Sequence, residues 1–271
     1  MLQPSILTAH GDSYALAVRP GRSRLNLVAG ALLSLGSRAV AAPIVEATLA
    51  RTGRGRLSWP TYQRRLKETF FLIASSPLVT PPADDWPVEA AVTGYLQLPR
   101  DPAWTPTADL TSFLDGGEPP VFVGFGSMPA VDPAPTNDLI AKALDRAGVR
   151  AVVLRGQAGL AVDDPGRGLV IDGAPYDWLF PQVGAVVTHG GAGTTGSAFA
   201  AGVPQVVIPH MGDQPYWGRR IHELGVGPPP IPRHALTATN LADALTSALT
   251  GNHRARAAEL AMQAVGHPAS T

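Results

Sequence analysis

The sequence contains no cysteine, and only two of its 21 basic residues are lysines, Lys67 and Lys142. The absence of cysteine excludes disulfides and thiolate metal sites, and it fits a reducing cytoplasm, where we expect the protein to be located. Charged residues make up only 15% of the 271-residue chain, whereas hydrophobic residues make up 45%. Disordered chains have the opposite balance. The chain is therefore expected to fold, and its length allows two domains.

A long uncharged apolar run is also missing. In the apolar segment 25–50, the longest stretch without a charged residue lies between Arg24 and Arg38 and has 13 residues. A helix needs about 20 apolar residues to cross a bilayer, so this segment predicts a buried or interfacial helix. Residues 1–10 contain no lysine or arginine, and the basic start of a secretory signal peptide is therefore absent from them.

An excess of either charge is missing as well, because 21 basic and 21 acidic residues cancel. Residues 1–100 carry 11 basic and 6 acidic side chains, a net charge of +5, and residues 101–271 carry the opposite net charge of −5. This asymmetry is far weaker than that of a nucleic-acid-binding protein, so we expect no nucleic-acid partner. A solvated basic face explains it, and a peripheral contact with an anionic membrane is left open.

Five prolines between positions 99 and 120 indicate a linker over residues 99–118. The linker would separate a first domain, residues 1–98, from a second, residues 119–265. The first domain contains two segments typical of strands, 70–75 and 91–96. It also contains two segments typical of helices, 26–50 and 62–67. Two strands are too few for an independent sheet with a large core. We therefore expect the first domain either to lean on the second or to be part of a larger one.

In the second domain, short β-branched runs alternate with segments of helical composition. The predicted strands are 121–125, 151–154, 169–171, 185–188 and 205–208, and the predicted helices are 136–147, 194–201, 215–224 and 241–249. This alternation predicts an α/β domain with a doubly wound, Rossmann-like parallel sheet. Ligands of such sheets bind at the carboxyl ends of the strands, so the loops after the strands are the candidate site.

A glycine-rich turn follows the fourth predicted strand at residues 188–195 and includes His189. Glycine lets a backbone approach a ligand closely, and the exposed N–H groups at a helix start favour an anion such as a diphosphate. Such a turn is also common as plain architecture. On its own, the turn leaves both interpretations open.

Polar residues follow two further strands of the same domain. Asp213 and Gln214 come after the last strand and combine the donors and acceptors that sugar hydroxyls require, while Ser127 follows the first. Asp213 could instead cap the helix that begins at Pro215. Three such loops at three strand ends of one sheet nevertheless favour a shared ligand site.

Four motifs, at residues 120–128, 177–181, 189–195 and 209–217, resemble the GT-B family of UDP-glycosyltransferases. The resemblance is greatest to bacterial sterol-glucosyltransferase-like and glycopeptide glycosyltransferases, and it is dense from residue 119 to about 249. It implies that residues 119–265 form a nucleotide-sugar donor domain and that residues 1–98 are part of the acceptor domain.

The resemblance also implies roles for individual residues in holding the donor. His189 would donate to a phosphate, residues 190–194 would cradle the diphosphate, and Asp213 with Gln214 would hold the hydroxyls of the transferred sugar. The loop 174–179 would border the base. The implied donor-binding residues are Ser127 near the diphosphate, Arg155 near the base or ribose, Trp178 as a core anchor, Leu179, His189, Gly190, Gly191, Ala192, Gly193, Thr194, Asp213 and Gln214.

The sequence departs from the family at both ends. The glycine-rich opening with the histidine that deprotonates the acceptor is not found, so we expect an N-terminally truncated chain without the catalytic base, and we assign no catalytic residue. His10 with Asp12 resembles a base and its carboxylate only superficially, because nothing around the pair matches the family, and a surface loop is expected there. The short segment after residue 265 leads us to expect impaired docking between the domains.

The resemblance implies inverting transfer of a hexose, most simply glucose, from a UDP- or dTDP-sugar to a hydroxyl of a lipophilic acceptor such as a sterol. Lack of the base would make the enzyme slow. The alternative is a nucleotide-sugar-binding remnant or auxiliary protein that transfers nothing. We expect no metal and no cofactor beyond the nucleotide sugar, since the spacing of the histidines is not that of metal ligands. Self-association through exposed apolar surface is left open.

Overall fold

The structure is a computed structural model that describes residues 8–13, 17–53, 58, 60–61, 64–65, 68–96, 99–129 and 131–265. The described residues fall into two compact units, one ending at Gly94 and the other beginning at Tyr95. We call them unit 1 and unit 2. The segment 99–118, expected from its prolines to be a linker, lies within unit 2.

Unit 1 contains the helix α1 (Arg24–Arg51) and a parallel pair of strands, β1 (Phe71–Ile73) and β2 (Ala90–Val92). These elements match the predicted helix 26–50 and the predicted strands near 70–75 and 91–96. Helix α1 begins after Ser23, whose side-chain oxygen accepts a hydrogen bond from an N–H of the first turn. The predicted helix 62–67 lies largely outside the described residues.

Helix α1 presents apolar side chains to solvent, among them Leu25, Val28 and Leu32. Positions spaced by three and four residues lie on one face of a helix, so these three form an exposed apolar stripe. No helix of the described residues is both long enough and apolar enough to cross a membrane.

Unit 2 is built on a five-stranded sheet in which every neighbouring pair of strands is parallel. Its strands, in the order β5-β4-β3-β6-β7 across the sheet, are β3 (Val121–Gly124), β4 (Ala151–Leu154), β5 (Gly168–Ile171), β6 (Val186–Thr188) and β7 (Gln205–Val207). All five predicted strands are present. The doubly wound α/β fold predicted from the sequence is confirmed.

Helices cover both faces of this sheet. They are α2 (Ala108–Asp115), α3 (Ala134–Ala147), α4 (Tyr176–Leu179), α5 (Ala192–Ala200), α6 (Gln214–Glu223), α7 (Ala238–Thr250) and α8 (His253–Val265). Successive side chains of a strand point to opposite faces, so β3 contributes to two cores. Val121 and Val123 join one core with residues of α3 and α7, and Phe122 joins another with residues of α2 and α4.

The direction of strand addition reverses in the middle of the sheet. From β3 the chain adds β4 and then β5 on one side, and it then returns to add β6 and β7 on the other side. Helices that follow β3 and β6 therefore leave in opposite directions, which opens a crevice at the carboxyl ends of these two strands. The loops that begin at Phe125 and at His189 border that crevice.

Candidate functional site

The imidazole of His189 lies between the loop after β3 and the turn after β6. A Cβ added to Gly126 would be 2.9 Å from Cε1 of His189, and one added to Gly191 would be 2.5 Å from Nε2. Gly126 also has a φ of +58°, which favours glycine. Glycine at both positions is therefore what allows the imidazole to occupy the switch point.

His189 is buried, with 8% of its surface exposed, and no described residue forms a hydrogen bond to its Nδ1. A buried polar atom without a partner costs free energy, and such atoms are typical of ligand sites. Burial lowers the pKa of His189, and the nearby His210 lowers it further, whereas Asp213 opposes the shift. The free protein thus holds His189 as a neutral imidazole at neutral pH.

Helix α5 begins at this point without a side-chain cap. Its N-cap residue is Gly191, in extended conformation, which has no side chain to cap the helix. Gly190, just before it, has a φ of +81° and donates its N–H to Thr188 Oγ1 at 3.2 Å. The free N–H groups of the first turn and the helix dipole together favour an anion beside His189.

Tyr176 reaches this turn from the loop after β5, and sequence reasoning did not single it out. Its hydroxyl lies near the side chain of Thr194, in the first turn of α5. Its ring stacks on Phe180 at a centroid distance of 4.4 Å, and burial raises its pKa. Tyr176 therefore ties the start of α5 to a neighbouring loop of the sheet.

Asp213 and Gln214 stand at the start of α6, after β7. Asp213 occupies the N-cap position but makes no capping bond, and its Oδ2 accepts a hydrogen bond from Trp217 Nε1 at 2.8 Å. Gln214 is buried, and its Oε1 accepts from the N–H groups of His210 and Met211 at 2.7 and 2.9 Å. The side-chain oxygen of Gln214 is thus committed to its own loop, and its amide nitrogen donates to Sδ of Met128 at 3.6 Å.

Comparison with known proteins shows which proteins the chain is similar to. Residues 152–271 match the C-terminal domain family of erythromycin biosynthesis protein CIII-like proteins. Sterol 3-beta-glucosyltransferase UGT80B1 of Arabidopsis thaliana is 41% identical over 189 residues, which are 69% of this chain and 31% of that protein. The O-mycaminosyltylonolide 6-deoxyallosyltransferase of Streptomyces fradiae is 39% identical over 175 residues, 65% of this chain and 41% of that protein.

In the matched segments the chain is similar to members of the UDP-glycosyltransferase family. Its fold agrees with this similarity, because the solved glycotransferase of kitacinnamycin superposes with a TM-score of 0.63 at 21% identity, over 84% of this chain and 58% of that one. UGT2 of Phytolacca americana, complexed with UDP-2fluoro-glucose and pterostilbene, superposes with a TM-score of 0.59 at 19% identity, over 75% and 50%. These structures establish the GT-B fold. The chain spans less than a third of the length of two curated relatives that it matches, 31% and 30%.

The remaining expected donor-binding residues follow other strands of the same sheet. Ser127 is exposed in the turn after β3, and Arg155, after β4, is held by Asp172 Oδ1 at 2.9 Å. Trp178 packs edge-on against Trp104 at a centroid distance of 5.0 Å. Leu179 is fully buried in the core, so only its backbone is available to a ligand.

In unit 1, His10 contacts an aspartate other than the Asp12 considered from the sequence. Its Nε2 lies 3.0 Å from Oδ1 of Asp84, 74 residues away. Asp85 is close enough for the three side chains to present ligand atoms within 4.8 Å of one another. Both oxygens of Asp85 already accept hydrogen bonds, from Thr8 Oγ1 and from the N–H of Ala9. This cluster therefore joins distant segments of unit 1, and the expected lack of a metal stays a prediction.

Proposed function

We propose that unit 2 binds a nucleotide sugar, with the diphosphate at the start of α5 and the hexose beside Asp213 and Gln214. The observation that carries the proposal is the buried, unpartnered Nδ1 of His189 next to an uncapped helix start. An N–H donor, a helix dipole and an imidazole at one place are suited to the charge of a diphosphate. UDP and dTDP sugars both present that group.

The reaction that follows is inverting transfer of a hexose, glucose in the first instance, to a hydroxyl of a lipophilic acceptor. In this chemistry the helix start and His189 would stabilise the leaving diphosphate, and Asp213 with Gln214 would position the sugar. The acceptor class is suggested by the relatives, which are named for sterols and for a tylonolide. We place the activity in the cytoplasm, where nucleotide sugars would be available to a protein without disulfides.

Binding is the first property to test. Isothermal titration of UDP and UDP-glucose, and of the dTDP counterparts, should give saturable binding to the full chain. His189→Ala should weaken the binding of both UDP and UDP-glucose, because it removes a phosphate contact. Asp213→Ala should weaken the binding of UDP-glucose and leave the binding of UDP unchanged. Wild-type affinity in both variants, with their folding verified by circular dichroism, would remove the basis for this site.

Control variants should spare the site. His222, in helix α6, contacts the carbonyl oxygen of Gly227 through Nδ1 at 3.2 Å. It follows Asp213 on the same helix yet is assigned no ligand contact here. His222→Ala should therefore bind UDP like the wild type, which separates loss of a contact from general damage to the helix.

Transfer itself requires a separate assay with UDP-glucose and a sterol. General-base catalysis typically contributes about 10² to 10⁴-fold, so the rate of transfer reports whether a base acts on the acceptor hydroxyl. Sterol-dependent release of UDP would establish transfer by this chain. Tight donor binding without any sterol glucoside would instead favour an auxiliary protein that holds nucleotide sugar.

A further inference from the structure

His210 is a second imidazole at the switch point, and neither the sequence motifs nor the proposed function gives it a role. Its ring centroid lies 5.1 Å from that of Phe125 and 6.4 Å from that of His189. Phe125 follows β3, His189 follows β6, and His210 itself follows β7. The ring therefore lies where three strand ends meet, with its centroid 6.4 Å from that of His189, the proposed phosphate contact.

Two hydrogen bonds fix the position of His210. Its Nδ1 lies 2.8 Å from the carbonyl oxygen of Ile208, and its backbone N–H donates to Gln214 Oε1 at 2.7 Å. A carbonyl oxygen only accepts, so Nδ1 must carry the proton and donate it. In the neutral ring Nε2 is then a hydrogen-bond acceptor, and no hydrogen bond to it is present among the described residues.

The surroundings of His210 favour that neutral ring. Burial lowers its pKa, and the guanidinium of Arg233 lowers it further, although the bond to Ile208 works in the opposite direction. Arg233 is itself held in place by a hydrogen bond from Nη2 to Thr136 Oγ1 at 2.6 Å. At neutral pH the ring therefore offers its Nε2 lone pair, and it adds no positive charge to the site.

This state selects between the two ends of a nucleotide sugar. Phosphate oxygens accept hydrogen bonds, so a neutral Nε2 matches them poorly, whereas a sugar hydroxyl has a proton to donate. We propose that His210 accepts a hydrogen bond from a hydroxyl of the donor's hexose through Nε2, and that it thereby favours nucleotide sugar over nucleotide diphosphate. The inference rests on the proposed function of unit 2.

The sharpest variant is His210→Asn, because the amide nitrogen of asparagine can still donate to Ile208 while the acceptor at the far side of the ring is lost. The affinity for UDP-glucose should fall by about 2- to 12-fold, as expected for one hydrogen bond, and the affinity for UDP should not change. His210→Gln, which places an amide oxygen further out, should recover part of the loss. His222→Asn, in which the same kind of Nδ1 contact is altered outside the site, should leave both affinities unchanged.

Titration calorimetry with UDP and UDP-glucose separates the outcomes. An unchanged UDP-glucose affinity in His210→Asn would overturn the inference, and so would an equal loss for UDP and UDP-glucose, since that would assign His210 to the diphosphate. If the wild-type chain bound neither UDP and UDP-glucose nor the dTDP counterparts, the proposed function would fail independently of His210. The inference about His210 would then fail as well.

Discussion

Gly126 and His189 are matched across the crevice between β3 and β6, because the imidazole of one occupies the space where a side chain of the other would lie. The separation from a Cβ at Gly126 to Cε1 of His189 would be 2.9 Å, a distance that such atoms essentially never show. The two residues are 63 positions apart in the chain, and the parallel pairing of β3 with β6 brings them together.

This relationship predicts the effect of Gly126→Ala. The added methyl group should displace His189, and the φ of +58° adds backbone strain of about 1 kcal/mol. UDP affinity should therefore fall together with stability. Gly148→Ala is the matched control, since Gly148 has a φ of +67° but no atom within 4 Å of the added Cβ. In urea denaturation this control should lose a similar amount of stability, and it should keep the wild-type affinity for UDP. Equal UDP affinity in both variants would contradict the claim that Gly126 makes room for the imidazole of His189.

The proximity of the Tyr176 hydroxyl to the Thr194 side chain predicts coupling between two loops. Tyr176→Phe removes the hydroxyl and should cost about 1 kcal/mol of stability, with a several-fold loss of UDP affinity because the first turn of α5 is less well fixed. Thr194→Val should do the same. A double-mutant cycle measured by urea denaturation should give a coupling energy clearly above zero, and strictly additive effects would show that the two side chains do not act together.

The neutral histidines of the site predict a dependence of stability on pH. Burial lowers the pKa values of His189 and His210 below those of the unfolded chain, so the unfolded state binds more protons as the pH falls. Their contribution to stability is present above the unfolded pKa of about 6.5 and is lost as the pH falls through the folded values. For each of these histidines, the free energy of unfolding should change by at most about 1.4 kcal/mol per pH unit.

The measurement is the free energy of unfolding from urea titrations at pH 7.5 and pH 5.5. The wild-type chain should be less stable at the lower pH. The double variant His189→Asn/His210→Asn should lose less free energy of unfolding between the two pH values. A double variant with the same pH dependence as the wild type would show that these imidazoles are not the groups responsible.

Metal removal should have no effect on donor binding. The N–H groups of α5 and the imidazole of His189 are proposed to meet the diphosphate without a bridging cation. UDP titrations in EDTA and in magnesium chloride should therefore give the same affinity at equal ionic strength. A strong requirement for magnesium would assign part of the phosphate charge to a cation and weaken the role given to His189.

The sequence was sufficient for the elements that repeat a simple pattern. The buried strands of unit 2 and the glycine turn before α5 were visible because β-branched runs and glycines mark them locally. Helix α2 was missed among the prolines, although Thr107 accepts a capping bond from the N–H of Leu110, and Leu110 and Leu114 are spaced to face the core. A capping threonine before apolar residues four apart was the signal that could have found it.

The rest of the site depends on contacts between distant segments. Tyr176 reaches Thr194 from another strand end, and His10 reaches Asp84 across 74 positions. Nothing in the local sequence distinguishes Tyr176 from an ordinary core aromatic, or His210 from a loop histidine. Their roles follow only when the sheet order brings the strand ends together.

The most direct measurement is a crystal structure of the full chain with UDP bound. The account predicts the diphosphate at the start of α5, with phosphate oxygens about 3 Å from backbone N–H groups of residues 192–194 and from a ring nitrogen of His189. A diphosphate bound elsewhere on the protein, with His189 out of contact, would contradict it.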